Sequence, residues 1–407
     1  MASKLGNRLR RHVHGHQPFV VLNRLRRAVR EALREDDALD RRVVSLRPTG
    51  SARGDVLFSY INRPFLLSAG ESVPTTHTHY WESLQIAQTF LDLGYRVDVI
   101  SWRNDWFQPE KEYRAFVDVR YNMERLAPSL SPQCVKIMHI ETAHCLFHNA
   151  AEAGRLLELQ RRRGVTLRPR RVMEPNWAIE HADCATILGN EFTMGTYRYA
   201  RKPLYPIPIS APAVYPWPER KDFDASRKRF LWLSSGGMVH KGLDLVLEAF
   251  AEMPDHEVVV CGPVDREPDF VAAYRTLLYE TPNVHTLNWI DVTSERFIEL
   301  MSGCVGLIYP SCSEGQSGAV VTCLHGGLVP IVSYESGVDV DGFGTVLRSC
   351  SIEEIKDAVR DVASLPAPEL RRRARAAWEY ARARHVRERF AEAYRDAVSR
   401  ILSERCP

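Results

Sequence analysis

The sequence predicts an α/β protein of two domains, each built on a Rossmann-like parallel sheet. Three observations carry that prediction. A chain of 407 residues can bury two cores, each of roughly 200 residues or fewer. The stretch from Val56 to Ser101 reads strand, loop, helix, glycine, strand. Val305 to Ser333 repeats the order: an apolar run broken by Pro310, a small-residue loop, an apolar helix ending at Gly326-Gly327, and a second run, Val329 to Val332.

Composition narrows the class. A charged fraction of 26% beside 45% hydrophobic residues is that of a globular chain and excludes a disordered one. A net charge of +3 gives no argument for nucleic acid. The nine cysteines contain no C-x-x-C pair, which suits neither a zinc site nor a disulfide framework, so reduced thiols in a cytoplasmic protein are expected. No apolar run approaches the roughly 20 residues of a membrane-spanning helix, and the early run Phe19 to Leu22 is too short for a secretory signal. Contact with a membrane would be peripheral, from the inner face.

Residues 1–50 form a basic extension rich in arginine, Arg8, Arg24, Arg30 and Arg42 among them. Val20, Val21, Leu25, Val29 and Leu33 fall near helical spacing, so an amphipathic helix on anionic lipid and a solvated tail both stand. The first domain is expected over 51–215. Its first strand is Val56 to Ile61, its first helix Ser83 to Leu93 closed by Gly94, and its second strand Val97 to Ser101. There is no G-x-G-x-x-G after the first strand, which removes support for a dinucleotide oxidoreductase. His77 and His79 at the helix entrance either cap it or line a cleft. Cys134 to Ile140 reads as a buried strand with His139 in it, and His144 lies beyond its carboxyl end, where α/β sheets bind ligands. Arg161, Arg162, Arg163, Arg168, Arg170 and Arg171 make a dense basic patch, either a solvated face or a site for phosphates of an acceptor or membrane surface. Six prolines between Lys202 and Arg220 mark the hinge.

The second domain is expected over 216–384. It opens with a strand, Phe230 to Ser234, then a loop holding Gly236 and Gly237, then a helix. Glu257 to Gly262 is its next strand. In the loop from Ser311 to Gly318, Glu314 sits among small residues just before a helix. Such residues let backbone N–H groups approach a ligand, and a helix N-terminus favours an anion, so a phosphate binder is the first reading. An ordinary loop whose glutamate caps its helix is the plain alternative. Over 385–407, Val386, Phe390, Tyr394, Val398 and Ile401 share one helical face.

The segment PSCSEGQSGAVVTCLHGG resembles the donor-site signature of retaining glycosyltransferases of family 4. The resemblance implies the GT-B arrangement, two Rossmann-like domains facing a cleft with a C-terminal helix crossing back. It implies transfer of a sugar from a nucleotide diphosphate sugar to an acceptor hydroxyl with retention, without metal or cofactor. Glu314 takes the place of the glutamate against the donor sugar, and Gly315, Gln316, Ser317 and Gly318 form the donor loop and helix start. A second glutamate, which holds the ribose in the family, falls on Thr322. Lys241 before Gly242 matches the lysine that grips the diphosphate; the family's arginine falls on Gly236, with His240 as a partial substitute. His144 matches the first-domain histidine presented to the sugar. Asp339-Val340-Asp341 reads as a loop pair rather than a metal site. The implied partners are a nucleotide-sugar donor, a glycan or lipid-linked acceptor, as in bacterial-type surface polysaccharide or glycoconjugate synthesis, and an anionic membrane surface, with no nucleic acid. Two alternatives share the fold: a nucleotide-sugar epimerase, and a degenerate non-catalytic sugar-nucleotide-binding subunit.

Overall fold

The computed structural model describes residues 35–405 apart from 69, 75 and 76. Thirteen strands form two sheets among the described residues. The first holds β1 (Val44–Leu46), β2 (Asp55–Tyr60), β3 (Arg96–Ser101), β4 (Ala115–Asp118), β5 (Val135–Ile140), β6 (Cys184–Leu188) and β7 (Leu204–Ile207), in the order β1-β3-β2-β4-β5-β6-β7. The second holds β8 (Arg229–Leu233), β9 (Glu257–Cys261), β10 (Val284–Asn288), β11 (Gly306–Tyr309), β12 (Val329–Ser333) and β13 (Thr345–Leu347), in the order β10-β9-β8-β11-β12-β13. Every pairing is parallel except β1 on β3. Parallel sheets covered by helices on both faces need strands that are apolar on both faces, and β2 and β11 are buried along their whole length.

Six helices matter for the site: α1 (Thr78–Asp92), α2 (Cys145–Arg163), α3 (Leu243–Ala251), α4 (Gly318–His325), α5 (Ala367–Arg384) and α6 (Arg387–Arg405). Helix α1 begins five residues before the expected Ser83, because His77 caps it by accepting the His79 N–H at Nδ1 (3.3 Å). The first domain also begins before residue 51. β1 extends its sheet antiparallel to β3, and Asp40 receives the Ser101 hydroxyl at 2.9 Å. The expected amphipathic positions Val20 to Leu33 lie outside the described residues.

Helix α6 crosses back onto the first domain. Phe390 packs edge-on to Trp81 (5.8 Å), Tyr394 meets His139 in strand β5 (5.8 Å), and Arg395 pairs with Asp92 (2.7 Å). One apolar cluster therefore runs from Val56 and Val97 through Ile209 and Tyr215 to Leu231, Leu307 and Val398, joining the domains. The basic patch at the end of α2 and in the loop beyond it also serves the junction. Arg162 pairs with Asp244 (2.7 Å) and Glu248 (3.1 Å), and Arg170 with Asp269, all acids of the second domain. Arg162 and Arg170 are thus interdomain ties, because the second domain's acids sit opposite them. Asp339 is likewise a tie, accepting from Asn190 at 2.7 Å. No helix among the described residues is long and apolar enough to cross a membrane.

Candidate active site in the interdomain cleft

The carboxyl ends of both sheets face one cleft of about 520 Å³, the place where open α/β sheets bind ligands. From the first domain, β4 delivers Arg120, β5 delivers Glu141 and α1 brings His79. From the second, β8 delivers Ser234 and Ser235, β10 leads to Trp289 through Val292, and β11 leads to Glu314 and the start of α4. Asn288 turns the chain with a φ of 55°, an unusual value for a residue with a side chain, and Trp289 beyond it is 53% exposed on the cleft wall.

At the centre Lys241 Nζ donates to Glu314 Oε1. The same carboxylate accepts from Ser311 Oγ (2.8 Å) and Tyr309 Oη (2.9 Å). Burial alone would raise the Glu314 pKa, but the Lys241 charge foremost holds it at about 2. Lys241, only 4% exposed, is pushed below its ordinary value by burial, against the pull of Glu314. Beside the pair, Ser317 caps α4 by accepting the Val320 N–H (3.4 Å), and Gly318 and Ala319, whose N–H groups belong to the first turn, line the cavity. Thr322 lies one turn further on the same wall, its hydroxyl donating to the Gly318 carbonyl at 2.7 Å. Gln316 lines the cleft as well, its Oε1 accepting from the Ile209 N–H (2.8 Å).

Across the cleft a second charged group was not foreseen. Half-buried Glu141 accepts from His79 Nδ1 (2.5 Å), Tyr60 Oη (2.6 Å) and Arg120 Nη2 (3.2 Å). Burial opposes its ionisation, yet His79 and then Arg120 hold it well below the carboxylate range. Burial also opposes a charge on His79, but Glu141 and then Glu82 raise its pKa. Charge on His79, and then burial, push neighbouring His77 down to about 3, so His77 caps its helix as a neutral ring. Glu141 directly follows the strand ending at Ile140, a position a strand-end argument finds from sequence. Arg120 follows a four-residue strand too short to read that way.

Five of the sequence-predicted residues sit elsewhere. His144 caps α2, accepting the Leu146 N–H at Nδ1 (3.3 Å) and meeting Tyr199 Oη at Nε2 (2.9 Å), and it borders a small neighbouring cavity instead of the cleft. His148, one turn on, faces the cleft: Nε2 donates to the Arg171 carbonyl (2.8 Å), leaving Nδ1 to accept from Ser313 Oγ (3.2 Å). His240 donates from Nε2 to the Ser313 carbonyl (2.7 Å), and burial holds its pKa well below the ordinary value, so it supplies no charge in place of an arginine at 236. The Gly237 N–H is committed to Glu267 Oε1 (2.6 Å), and neither Gly236 nor Gly237 lines the cleft. Gly315 serves the domain contact, its carbonyl accepting from Thr193 Oγ1 at 2.7 Å.

No protein-family model and no curated protein matches the sequence. Solved structures match the fold at low identity. Sucrose-phosphate synthase from Thermosynechococcus elongatus is 12% identical with a TM-score of 0.62, over 86% of this chain and 100% of that one. A glycosyltransferase from Rickettsia africae is 11% identical with a TM-score of 0.57, over 87% and 99%. HepE from Anabaena in complex with UDP-glucose is 13% identical with a TM-score of 0.53, over 86% and 100%. The fold is thus the two-domain GT-B arrangement.

Proposed function

We propose that this chain is a glycosyltransferase that moves a sugar from a nucleotide diphosphate sugar to an acceptor hydroxyl, retaining the anomeric configuration and using no metal ion. The observation that carries this reading is the Lys241–Glu314 pair at the start of α4, inside a cleft closed by two α/β domains. In the reaction the bond from the anomeric carbon to the diphosphate breaks, the acceptor oxygen forms the new bond from the same face, and its proton leaves with the diphosphate. The difficult part is charge building on the leaving oxygen. Lys241 and the first-turn N–H groups of α4 meet that charge without reorganising, because the pair and the cap already fix them. Glu314, ionised at any physiological pH, accepts from sugar hydroxyls and fixes the donor's orientation. The chain from Trp289 to Val292 offers a wall for the base.

The HepE structure holding UDP-glucose supports a donor of this class. The acceptor is a glycan or a lipid-linked glycan, as in surface polysaccharide or glycoconjugate synthesis, and peripheral contact with an anionic membrane is assigned to the arginine-rich extension, residues 1–50. A second reading, a sugar-nucleotide-binding subunit without turnover, is favoured by one observation: Thr322 uses its hydroxyl on Gly318, where a carboxylate would hold a ribose. Incubation with UDP-, GDP- and ADP-sugars, with and without glycan and lipid-linked acceptors, separates the readings by nucleoside diphosphate release. Acceptor-dependent release supports transfer, and release with an epimerised free sugar and no acceptor supports an epimerase. Binding without release supports the subunit.

A further inference from the structure

The loop after α2 is held by three side chains of that helix. Buried Glu152 accepts from the Arg170 N–H (2.8 Å) and the Arg171 N–H (2.9 and 3.1 Å). His148 Nε2 donates to the Arg171 carbonyl at 2.8 Å. Asn149 accepts from the Met173 N–H (2.8 Å) and donates to its carbonyl (2.7 Å). A loop backbone bonded at three positions by one helix is a rigid mount for the side chain between them.

That side chain is Arg171. Its stem crosses to the second domain and lies on Gly237: a Cβ at 237 would stand 2.7 Å from Arg171 Cγ and 3.0 Å from Cδ. Gly237 also has a φ of 78°, so both its conformation and the arginine above it require glycine. Arg171 lines the cleft with Lys241 and Glu314, and its charge depresses the pKa of both, behind burial and their mutual attraction. Nearby arginines have acids: Arg120 has Glu141, Arg162 has Asp244 and Arg170 has Asp269. The Arg171 guanidinium has no ion pair, hydrogen bond or ring partner among the described residues. Lys241 and Glu314 cancel, so the spot carries the net positive charge of Arg171, which an anionic ligand would neutralise.

We infer that Arg171 of the first domain is a donor-site residue that binds a phosphate oxygen of the nucleotide diphosphate together with Lys241, so that the donor site is complete only when the two domains are apposed. This rests on the reading of the preceding subsection. A planar guanidinium matches phosphate oxygens in a two-point contact. The mount makes that contact specific: Glu152 and His148 place the group, and Gly237 gives it passage.

Calorimetric titration of UDP, GDP and ADP into the intact wild type, Arg171→Ala and Arg171→Gln tests the assignment. The glutamine variant keeps a stem over Gly237 and removes the charge. The diphosphate that the wild type binds most tightly is expected to bind at least about 10-fold more weakly to both variants, with Arg171→Lys recovering part of the loss and the thermal midpoint unchanged. Equal affinity for wild type and variants overturns the role of Arg171 alone, and a variant in which only the acceptor KM rises overturns it in favour of an acceptor contact. A wild type that binds none of the three overturns the functional reading and this inference with it.

Discussion

Gly315 of the second domain lies directly against the main chain of Glu141 of the first, so closely that a methyl group at 315 would stand 2.6 Å from the Glu141 carbonyl carbon and overlap its oxygen. Around that contact the Ala143 N–H donates to the Glu314 carbonyl (3.1 Å) and Thr193 Oγ1 to the Gly315 carbonyl (2.7 Å). The loop that carries Glu314 is therefore positioned by the other domain. This approach requires glycine at 315.

Gly315→Ala should consequently disturb the apposition of the domains. Overpacking of this kind costs about 1–3 kcal/mol, and the added methyl meets main chain, which cannot rotate away. The expected result is a lower thermal midpoint and a larger radius of gyration by solution scattering, with turnover reduced. A variant with wild-type midpoint and radius would show that the approach is looser than described.

A pH effect follows from His79, which is held above its ordinary value between Glu141 and Glu82, with Arg120 opposing. A group whose pKa is raised on folding adds stability that is complete below about 6.5 and is lost as pH rises through the folded value. His79→Gln should thus be less stable than wild type near pH 6, by on the order of 1–3 kcal/mol, with the gap narrowing as pH rises through the folded value of His79. Lys221, pushed down to about 8 by burial, gives the opposite slope at high pH, but in both proteins, so the difference isolates His79. Urea unfolding at several pH values reads it, and a gap independent of pH would remove the charge from His79.

The sequence made the architecture legible because its periodic signals are strong: β2, β5, β8, β11 and β12 are apolar runs between glycine or proline breaks. Glu314 and Ser317 stand out locally as a small-residue loop before a helix, whereas Lys241 and Thr322 were singled out by the family resemblance, and all four line the cleft. Features that depend on two distant segments meeting were not. Nothing local to Arg162 or Arg170 reveals Asp244 or Asp269 opposite, and nothing local to Gly315 reveals Glu141. His144 and His148 are equally placed by position after a strand, and only the helix turn between them decides which faces the cleft.

Thr322 gives a gain-of-affinity prediction. Its hydroxyl now bonds the Gly318 carbonyl at 2.7 Å on the cleft wall. A carboxylate in its place would accept charge-assisted hydrogen bonds from ribose hydroxyls, worth about 1–2 kcal/mol net, or roughly 5–30-fold in Kd. Thr322→Glu should tighten nucleoside diphosphate binding by calorimetry. Unchanged affinity in a folded variant would place the ribose elsewhere.

The most direct test concerns Lys241, the cation on which the proposed chemistry turns. With the donor and acceptor that support turnover, kcat/KM is measured for wild type and Lys241→Ala, folding being checked by near-ultraviolet circular dichroism. Removing one preorganised electrostatic group from the leaving oxygen lowers the rate by about 10²-fold or more, and that loss, with weaker nucleoside diphosphate binding, is the expected result. An alanine variant that turns over at the wild-type rate would contradict the account, because the pair with Glu314 would then be a structural ion pair and the cleft's chemistry would lie elsewhere.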